Sequence, residues 1–350
     1  RQLKHPIMIK WLSLPESTKR NAFIQIAEET GMSAFAVEKD WWVSRTLEII
    51  FQMDIAKHLV FKGGTSLSKA WNLINRFSED IDLAIDMDFF MTPTKNWSKG
   101  ERTKLRKTAG EYSTSIFFVE LEAEFLKRGF ENLHFTIVET SESDRDPRVL
   151  EIQYPNLIEQ QTDYMLPRIQ IEVSCRSLRE PFSIQKFGSL VDEVYFEREF
   201  AQSFFQVPTV NPERTFLEKI FLLHEEFKRP EEKMRVDRLS RHLYDVYHLI
   251  KAGIADRAIN DKELYETIVS HRYLFSKIGG VDYNSHNPAT LNPIPPNKVQ
   301  KDWESDYAKM KEEMIYEKNP PSFEDLISNL TNLKDQLLNV GWKFELTFKP

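Results

Sequence analysis

One stretch constrains this chain more than any other: Leu59-Val-Phe-Lys-Gly-Gly-Thr-Ser-Leu-Ser-Lys-Ala-Trp-Asn-Leu-Ile-Asn-Arg-Phe-Ser-Glu-Asp-Ile-Asp-Leu-Ala-Ile-Asp86. Leu59 to Lys62 suits a short buried strand. Gly63-Gly64 demands a tight turn, and Thr65-Ser66 suits a helix start, which predicts a helix running to about Asn75. Asp80 and Asp82 then alternate with Ile81, Leu83 and Ile85, the signature of a second strand. Residues two apart on a strand share a face, so the two carboxylates stand side by side with the apolar residues behind them. Adjacent carboxylates repel, and a hard cation such as Mg2+, which takes oxygen ligands, relieves that repulsion. The N–H groups of the Gly63, Gly64, Thr65 and Ser66 turn suit a phosphate. A phosphate turn and metal carboxylates this close in sequence point to phosphoryl or nucleotidyl transfer.

The 350 residues suffice for one large domain or two ordinary ones. The single cysteine, Cys175, rules out an intramolecular disulfide and a multi-cysteine zinc site, and it fits a reducing cytoplasm. Without a run of about 18 apolar residues, no membrane span is expected. The start, Arg1-Gln2-Leu3-Lys4-His5-Pro6, lacks the apolar core of a signal peptide, and the missing initial Met is what a trimmed or processed chain would show. A net charge of −7 argues against coating nucleic acid through bulk charge but leaves room for a local basic funnel. Lys95, Lys99, Arg102, Lys104, Arg106 and Lys107 form a basic run with two readings, a polynucleotide contact or a solvated helix face.

Taken in order, residues 16 to 30 read as a helix stopped by Gly31. Ser33 caps a second helix, Ala34 to Met53, with Val37, Trp41, Leu47 and Ile50 as one buried stripe. Trp41 and Trp42 read as core anchors, with base stacking as the competing reading. After a polar loop, Thr92 to Lys99, a long helix spans Glu101 to Lys127 and ends at Gly129. Strands are expected at Leu133 to Thr140, Arg148 to Tyr154, Arg168 to Ser174 and Phe182 to Lys186, with a turn over Asn156 to Met165. The second half reads as helical: Glu213 to Phe227 after the cap Asn211 and Pro212, then Asp237 to Ala252, Asp261 to Phe275, Asp302 to Tyr316 and Ser322 to Leu338. This order gives an α+β class with three regions: N-terminal helices over 1–54, an α+β lobe over 55–205 and a helical lobe over 206–350.

Further candidates lie outside the opening stretch. In Arg168-Ile-Gln-Ile-Glu-Val-Ser-Cys-Arg176, Glu172 shares a face with Arg168, Gln170 and Ser174. If that strand neighbours Asp80 and Asp82, Glu172 becomes a third acid of a two-metal site. The competing reading is a half-exposed strand with salt-bridged polar residues. Lys219 sits among apolar neighbours and suits triphosphate oxygens. Asp245 lies four residues after Arg241 and would pair with it on one helix face. By periodicity alone, Lys219 and Asp245 read as ordinary surface residues. Cys175 falls on the apolar face of its strand and reads as a small buried hydrophobe. His224, His242 and His248 lack the spacing of a zinc helix and are not assigned to metal.

Phe61-Lys-Gly-Gly-Thr-Ser-Leu-Ser-Lys-Ala and Arg76-Phe-Ser-Glu-Asp-Ile-Asp-Leu resemble the first motif of the AbiEii/AbiGii-type nucleotidyltransferase toxins, which include the MenT-type enzymes and belong to the DNA polymerase β-like superfamily. The resemblance continues at Glu38-Lys39-Asp40, Ile171-Glu172-Val173-Ser174, Arg214 to Leu222, Arg238 to Leu249, Asp306 to Met310 and Ser322 to Asp325, and so covers most of the chain. It implies a bi-lobed fold with the site in the cleft. It also implies triphosphate binding by Gly64, Thr65 and Ser66, with Gly63 and Lys69 in the same nucleotide-binding set. By the same resemblance Asp80 and Asp82 would hold Mg2+. Glu172 matches the third acidic position, Lys219 the lysine of the helical lobe and Asp245 a later essential aspartate. Two departures stand out: the spacing from Gly64 to Asp80 exceeds the wider superfamily pattern, and position 172 is Glu where many relatives have Asp. Glu172 therefore has two readings, metal ligand or base.

The resulting expectation is a Mg2+-dependent enzyme that moves a nucleoside monophosphate from an NTP to an acceptor. The resemblance implies a cytoplasmic toxin paired with an antitoxin, with an RNA such as tRNA as acceptor. An RNA acceptor would need a local basic cleft, for which Lys62, Lys69, Arg76, Arg168 and Arg176 are candidates. The alternatives are transfer to a protein or small-molecule hydroxyl, and a module that binds a nucleotide or partner without turnover.

Overall fold

The computed structural model describes residues 9–92, 97–159 and 166–349. The chain divides into two compact units, Arg1–Ala70 with Phe77–Thr209, and Trp71–Arg76 with Val210–Pro350.

The first unit opens with α1 (Glu16–Thr30), which ends on Gly31 in the left-handed region at φ +78°, and α2 (Ala34–Ile50), capped by the Ser33 hydroxyl accepting from the Ala36 N–H. A stripe was expected on α2, but the helix is encased on nearly every side. Its charged residues are therefore buried, and burial of charge requires partners. Glu38 accepts from the Leu157 and Ile158 N–H groups at 2.7 and 2.9 Å. Lys39 pairs with Glu79, Asp40 with Lys69, and Arg45 with Asp192 and Glu48. Trp41 and Trp42 are both buried, Trp42 stacking on Tyr154 with centroids 4.9 Å apart, as core anchoring requires.

Next come β1 (Leu59–Lys62), α3 (Gly63–Thr65), a five-residue π turn (Ser66–Ala70) and β2 (Asp80–Ile85). The helix expected to reach Asn75 thus stops at Ala70, because Trp71–Arg76 joins the second unit. After α4 (Met87–Phe90), the expected long helix is α5 (Lys99–Tyr112) and α6 (Phe118–Lys127) joined by a π turn at Ser113–Phe117. Ser113 and Thr114 return hydroxyl bonds to the Ala109 and Gly110 carbonyls there, a habit that loosens helical turns.

The strands β3 (His134–Ile137), β4 (Arg148–Gln153), β5 (Arg168–Ser174) and β6 (Phe182–Phe187) stand where alternation placed them. Sequence reading missed α7 (Leu190–Val194) and β7 (Phe205–Val210). The seven strands form one mixed sheet in the order β3-β4-β5-β2-β1-β7-β6. β2 lies antiparallel to β1 and parallel to β5. Ile81, Leu83, Ile85, Ile169, Ile171 and Val173 are buried on one face, and Asp80, Asp82, Gln170 and Glu172 are half-buried on the other. Cys175 is fully buried, as expected of a small hydrophobe, and burial pushes its thiol well above the usual range. Lys95 of the basic run and residues 160–165 of the expected turn lie outside the described residues.

The second unit is built of α8 (Pro212–Phe227), α9 (Arg241–Lys251), α10 (Ile254–Asn260), α11 (Lys262–Phe275), α12 (Gln300–Glu313) and α13 (Phe323–Leu338). α8 packs against α9, α10 and α11, and α13 against α9. The expected start of α9 at Asp237 is corrected to Arg241, since Arg238 takes φ +59°, outside the helical region. Asp306 caps the approach to α9, accepting from the Arg238 and Ser240 N–H groups at 2.8 and 3.0 Å. α13 begins with the expected Ser322/Asp325 capping box. Trp71–Arg76 is held in this unit by Trp71 Nε1 donating to the Val210 carbonyl at 3.0 Å and by the Tyr316 N–H donating to the Asn75 carbonyl at 3.2 Å.

Candidate active site

In the first unit, the register of the sheet assembles the acids. Asp82 stands opposite Glu172 across the parallel pair β2–β5, and Asp80 opposite Gln170. A strand presents every second residue to one face, so Asp80, Asp82 and Glu172 share the half-buried face. The strand adjacency on which Glu172 depended is therefore present. On the other side, Lys62 stands opposite Asp82 across β1–β2.

The glycine turn is built against these acids. Gly63 has φ +82°, and a Cβ there would lie 1.9 Å from Asp82 Oδ2. Only a residue without a Cβ allows that approach. The Thr65 hydroxyl donates to the Asp80 carbonyl at 2.6 Å, and the Ser66 hydroxyl donates to the Gly63 carbonyl at 2.8 Å. Both side chains are buried: the Thr65 hydroxyl clamps the turn to β2, while Ser66 closes the turn on itself, its hydroxyl and its N–H both donating to the Gly63 carbonyl. Lys69 is engaged by Asp40 and lies 6.0 Å from the Phe187 ring centroid.

Glu79 precedes Asp80 and pairs with the buried Lys39, which also donates to the Leu166 carbonyl at 2.8 Å. Burial pushes the Lys39 ammonium below its ordinary value, and Glu79 opposes that shift. The Glu38-Lys39-Asp40 motif therefore holds the ends of this site: Glu38 holds the Leu157–Ile158 backbone, Lys39 reaches the start of β2, and Asp40 reaches Lys69 and the Leu190 N–H. Sequence reading marked the motif but not these partners, which lie 29 to 150 residues away.

The second unit holds a separate charged group. Asp245, fully buried on α9, accepts from Arg76 Nε and Nη2 at 2.7 Å each, and Lys219 Nζ lies 2.8 Å from its Oδ2. The expected pair with Arg241 is replaced by these two cations. Burial would raise the Asp245 carboxyl, but Arg76 and Lys219 overcome it and hold it well below the usual carboxylate range. Burial lowers the Lys219 ammonium, with Asp245 opposing. His242 Nδ1 lies 3.3 Å from Lys219 Nζ. Sequence reading named Arg76 as a cleft candidate and set His242 aside from metal binding, but missed the place of both in this group. Arg76 gave no signal of its pairing across 169 residues, whereas His242 stands three residues before Asp245 on the same helix.

Of the basic-cleft candidates, Lys69, Arg76, Arg168 and Arg176 are paired with Asp40, Asp245, Glu151 and Asp146. On α5, Arg106 pairs with Asp144, while Lys99, Lys104 and Lys107 are exposed. His224 bonds to Ser285 and to the Asn292 N–H, and His248 pairs with Glu317.

The donors of the first unit are all carboxylate oxygens, the set a hard divalent cation takes. Among the described residues, no three His, Cys, Asp or Glu side chains are gathered into a set that could hold a metal by themselves. Mg2+ is commonly bound through one or two carboxylates together with substrate phosphate oxygens, so the Asp80/Asp82 pair fits what that ion asks of a protein.

Together, an α+β sheet bearing side-by-side acids and a glycine turn seated on one of them define an enzyme built for phosphate-ester chemistry. Residues 45–329 match the family described as "Nucleotidyl transferase AbiEii toxin, Type IV TA system". The chain belongs to that family, and is thus a nucleotidyltransferase of a toxin–antitoxin family, acting on an NTP. Similar solved structures include MenT4, the nucleotidyltransferase toxin Rv2826c of Mycobacterium tuberculosis H37Rv, at 16% identity over 93% of this chain and 99% of that one, with a TM-score of 0.44. JHP933 from Helicobacter pylori is 14% identical over 86% of this chain and 91% of its own, and a putative nucleotidyltransferase from H. pylori is 14% identical over 88% and 96%, each with a TM-score of 0.41. No curated protein matches the chain. Among the described residues, no helix is long and apolar enough to cross a membrane.

Proposed function

We propose that the chain transfers a nucleoside monophosphate from an NTP to a hydroxyl of an RNA such as tRNA, with Mg2+, in the cytoplasm, as a toxin restrained by a cognate antitoxin. The observation that carries the chemistry is the register that sets Asp82 beside Glu172, with Asp80 on the same face and Gly63 against Asp82. Asp80 and Asp82 would hold the metal together with substrate phosphate oxygens, and Glu172, opposite Asp82, would serve as the base. When bound, Mg2+ neutralises triphosphate charge and favours ionisation of the acceptor hydroxyl.

The chain's own groups do the rest. Backbone N–H groups of Gly63, Gly64 and Thr65 hold phosphate oxygens, and Ser66, whose N–H donates to the Gly63 carbonyl, keeps the turn closed beneath them. This cradle relies on local N–H groups, since α3 is too short for a strong dipole. A Glu172 carboxylate oxygen takes the acceptor's proton as the new oxygen–phosphorus bond forms at the α-phosphate. The bond to the β-phosphate oxygen breaks, and pyrophosphate leaves. Lys219, oriented by Asp245, neutralises charge on the triphosphate. Lys69 contributes charge near the turn only through its Asp40 pair.

The experiment is incubation with each labelled NTP, Mg2+ and total RNA. Label on RNA that disappears in an Asp80→Ala/Asp82→Ala variant supports the reading, and equal labelling by that variant overturns it. A second reading, transfer to a protein or small-molecule hydroxyl, is favoured by the intramolecular pairing of Lys69, Arg76, Arg168 and Arg176. Label that survives RNase and runs with protein would establish it.

A further inference from the structure

We propose that His242 is a positioning residue for Lys219: its Nδ1 takes one of the three ammonium N–H donors and so aims the donor that is left. The inference rests on the reading that Lys219 meets the NTP triphosphate.

An ammonium has three donors and no acceptor, and it turns freely about its last carbon–nitrogen bond unless its partners fix it. One partner is Asp245 Oδ2 at 2.8 Å, and the second is His242 Nδ1 at 3.3 Å. Both come from α9, three residues apart and so on one helix face. Asp245 is itself held by two Arg76 bonds of 2.7 Å, so that end of the arrangement cannot drift. Two fixed acceptors leave the third N–H of Lys219 one direction to point.

For Nδ1 to accept, the ring must be neutral with its proton on Nε2. Burial, then the neighbouring Lys219 and Arg241 cations, holds the His242 pKa well below its ordinary value, which keeps that state. Asp245 is bonded by two cations at once, Arg76 and Lys219. Lys219 has two partners for its three donors, so the third is the one it can turn to a ligand. A cation aimed beforehand at the place where charge develops acts in the transition state at no reorganisation cost. Losing the aim while keeping the charge should therefore lower turnover more than nucleotide binding.

The test compares His242→Leu, His242→Asn and Lys219→Met in the full chain. Pyrophosphate release is followed with total RNA, Mg2+ and each NTP, and urea unfolding is run in parallel. Asn Oδ1 can occupy the place of the ring Nδ1, whereas Leu cannot accept. Lys219→Met should lose about 100-fold in turnover, the scale of one lost charge stabiliser. His242→Leu should lose roughly tenfold in kcat with KM for the NTP changed less than about twofold, and His242→Asn should recover most of the rate. An active Lys219→Met overturns the reading on which the inference rests. An inactive Lys219→Met beside an unimpaired His242→Leu overturns the inference alone, as do equal losses in Leu and Asn. Nitrogen-15 NMR of histidine-labelled protein, with His242 assigned from the Asn variant, should show a neutral ring protonated on Nε2. An Nδ1–H ring would overturn the proposal without reference to activity.

Discussion

Gly63→Ala tests the seat of Asp82 most directly. The residue sits at φ +82°, and the added Cβ would meet Asp82 Oδ2 at 1.9 Å and Cγ at 2.7 Å. Ordinary contact starts near 3.4 Å, so the carboxylate must retreat by about 1.5 Å. Two costs follow. The left-handed backbone charges an L-residue roughly 1–2 kcal/mol. The displaced carboxylate costs rate, because a misplacement of about 1 Å at a reacting centre can cost on the order of 100-fold. Gly129→Ala separates the two, since Gly129 has φ +84° and its Cβ would meet nothing within 4 Å. Urea unfolding should show both variants destabilised by about 1–2 kcal/mol, with any excess in Gly63→Ala reporting the clash. Pyrophosphate release should fall about 100-fold in Gly63→Ala and stay near wild type in Gly129→Ala. Equal destabilisation and equal activity in the two would refute the placement of the turn against Asp82.

Asp245→Asn should destabilise the protein by roughly 3–5 kcal/mol in urea unfolding, because two buried cations, Arg76 and Lys219, would lose the carboxylate that both bond to. Glu79→Gln leaves Lys39 in the same position, and a comparable loss on the order of 3–5 kcal/mol is expected, accompanied by lower transfer activity as the start of β2 shifts. His224, buried first of all and then facing His286, is lowered to about 3. Its unfolded value near 6.5 lies above that, so the unfolded chain takes the proton first as pH falls. The contribution is complete above about pH 6.5 and is lost as pH falls toward 3, amounting to about 2 kcal/mol between pH 7 and 5. Urea titrations at those two pH values should show the loss in wild type and a smaller one in His224→Gln. EDTA should abolish label transfer and added Mg2+ restore it; transfer unaffected by EDTA would remove the metal from the proposal.

Much of the site was legible because its parts are local. The Gly63-Gly64 turn and the Asp80/Asp82 alternation need only the rules of strands and turns, and the first motif carried the family resemblance. Glu172 was legible as a candidate because β5 alternates cleanly between Ile169, Ile171 and Val173 and its polar residues. The length of the helix after Thr65 was not, since local pattern continued to Asn75 while packing drew Trp71–Arg76 into the other unit. α2 misled for a related reason: its apolar residues read as one buried stripe, yet the helix is buried almost all round and its charges find partners far along the chain.

By itself, then, the sequence determined the kinds of element, the turn and the face on which the two aspartates stand. Those follow from short-range sterics and from alternation over a few residues. Only the tertiary structure decided which groups are paired. It set Glu172 beside Asp82 through strand order, gave Asp245 to Arg76 and Lys219 rather than to its helix neighbour Arg241, and tied up Lys69 and Arg176 in ion pairs. The physical reason is that a buried charge is satisfied by whichever opposite charge the packing brings within reach, and neither propensity nor spacing records that partner.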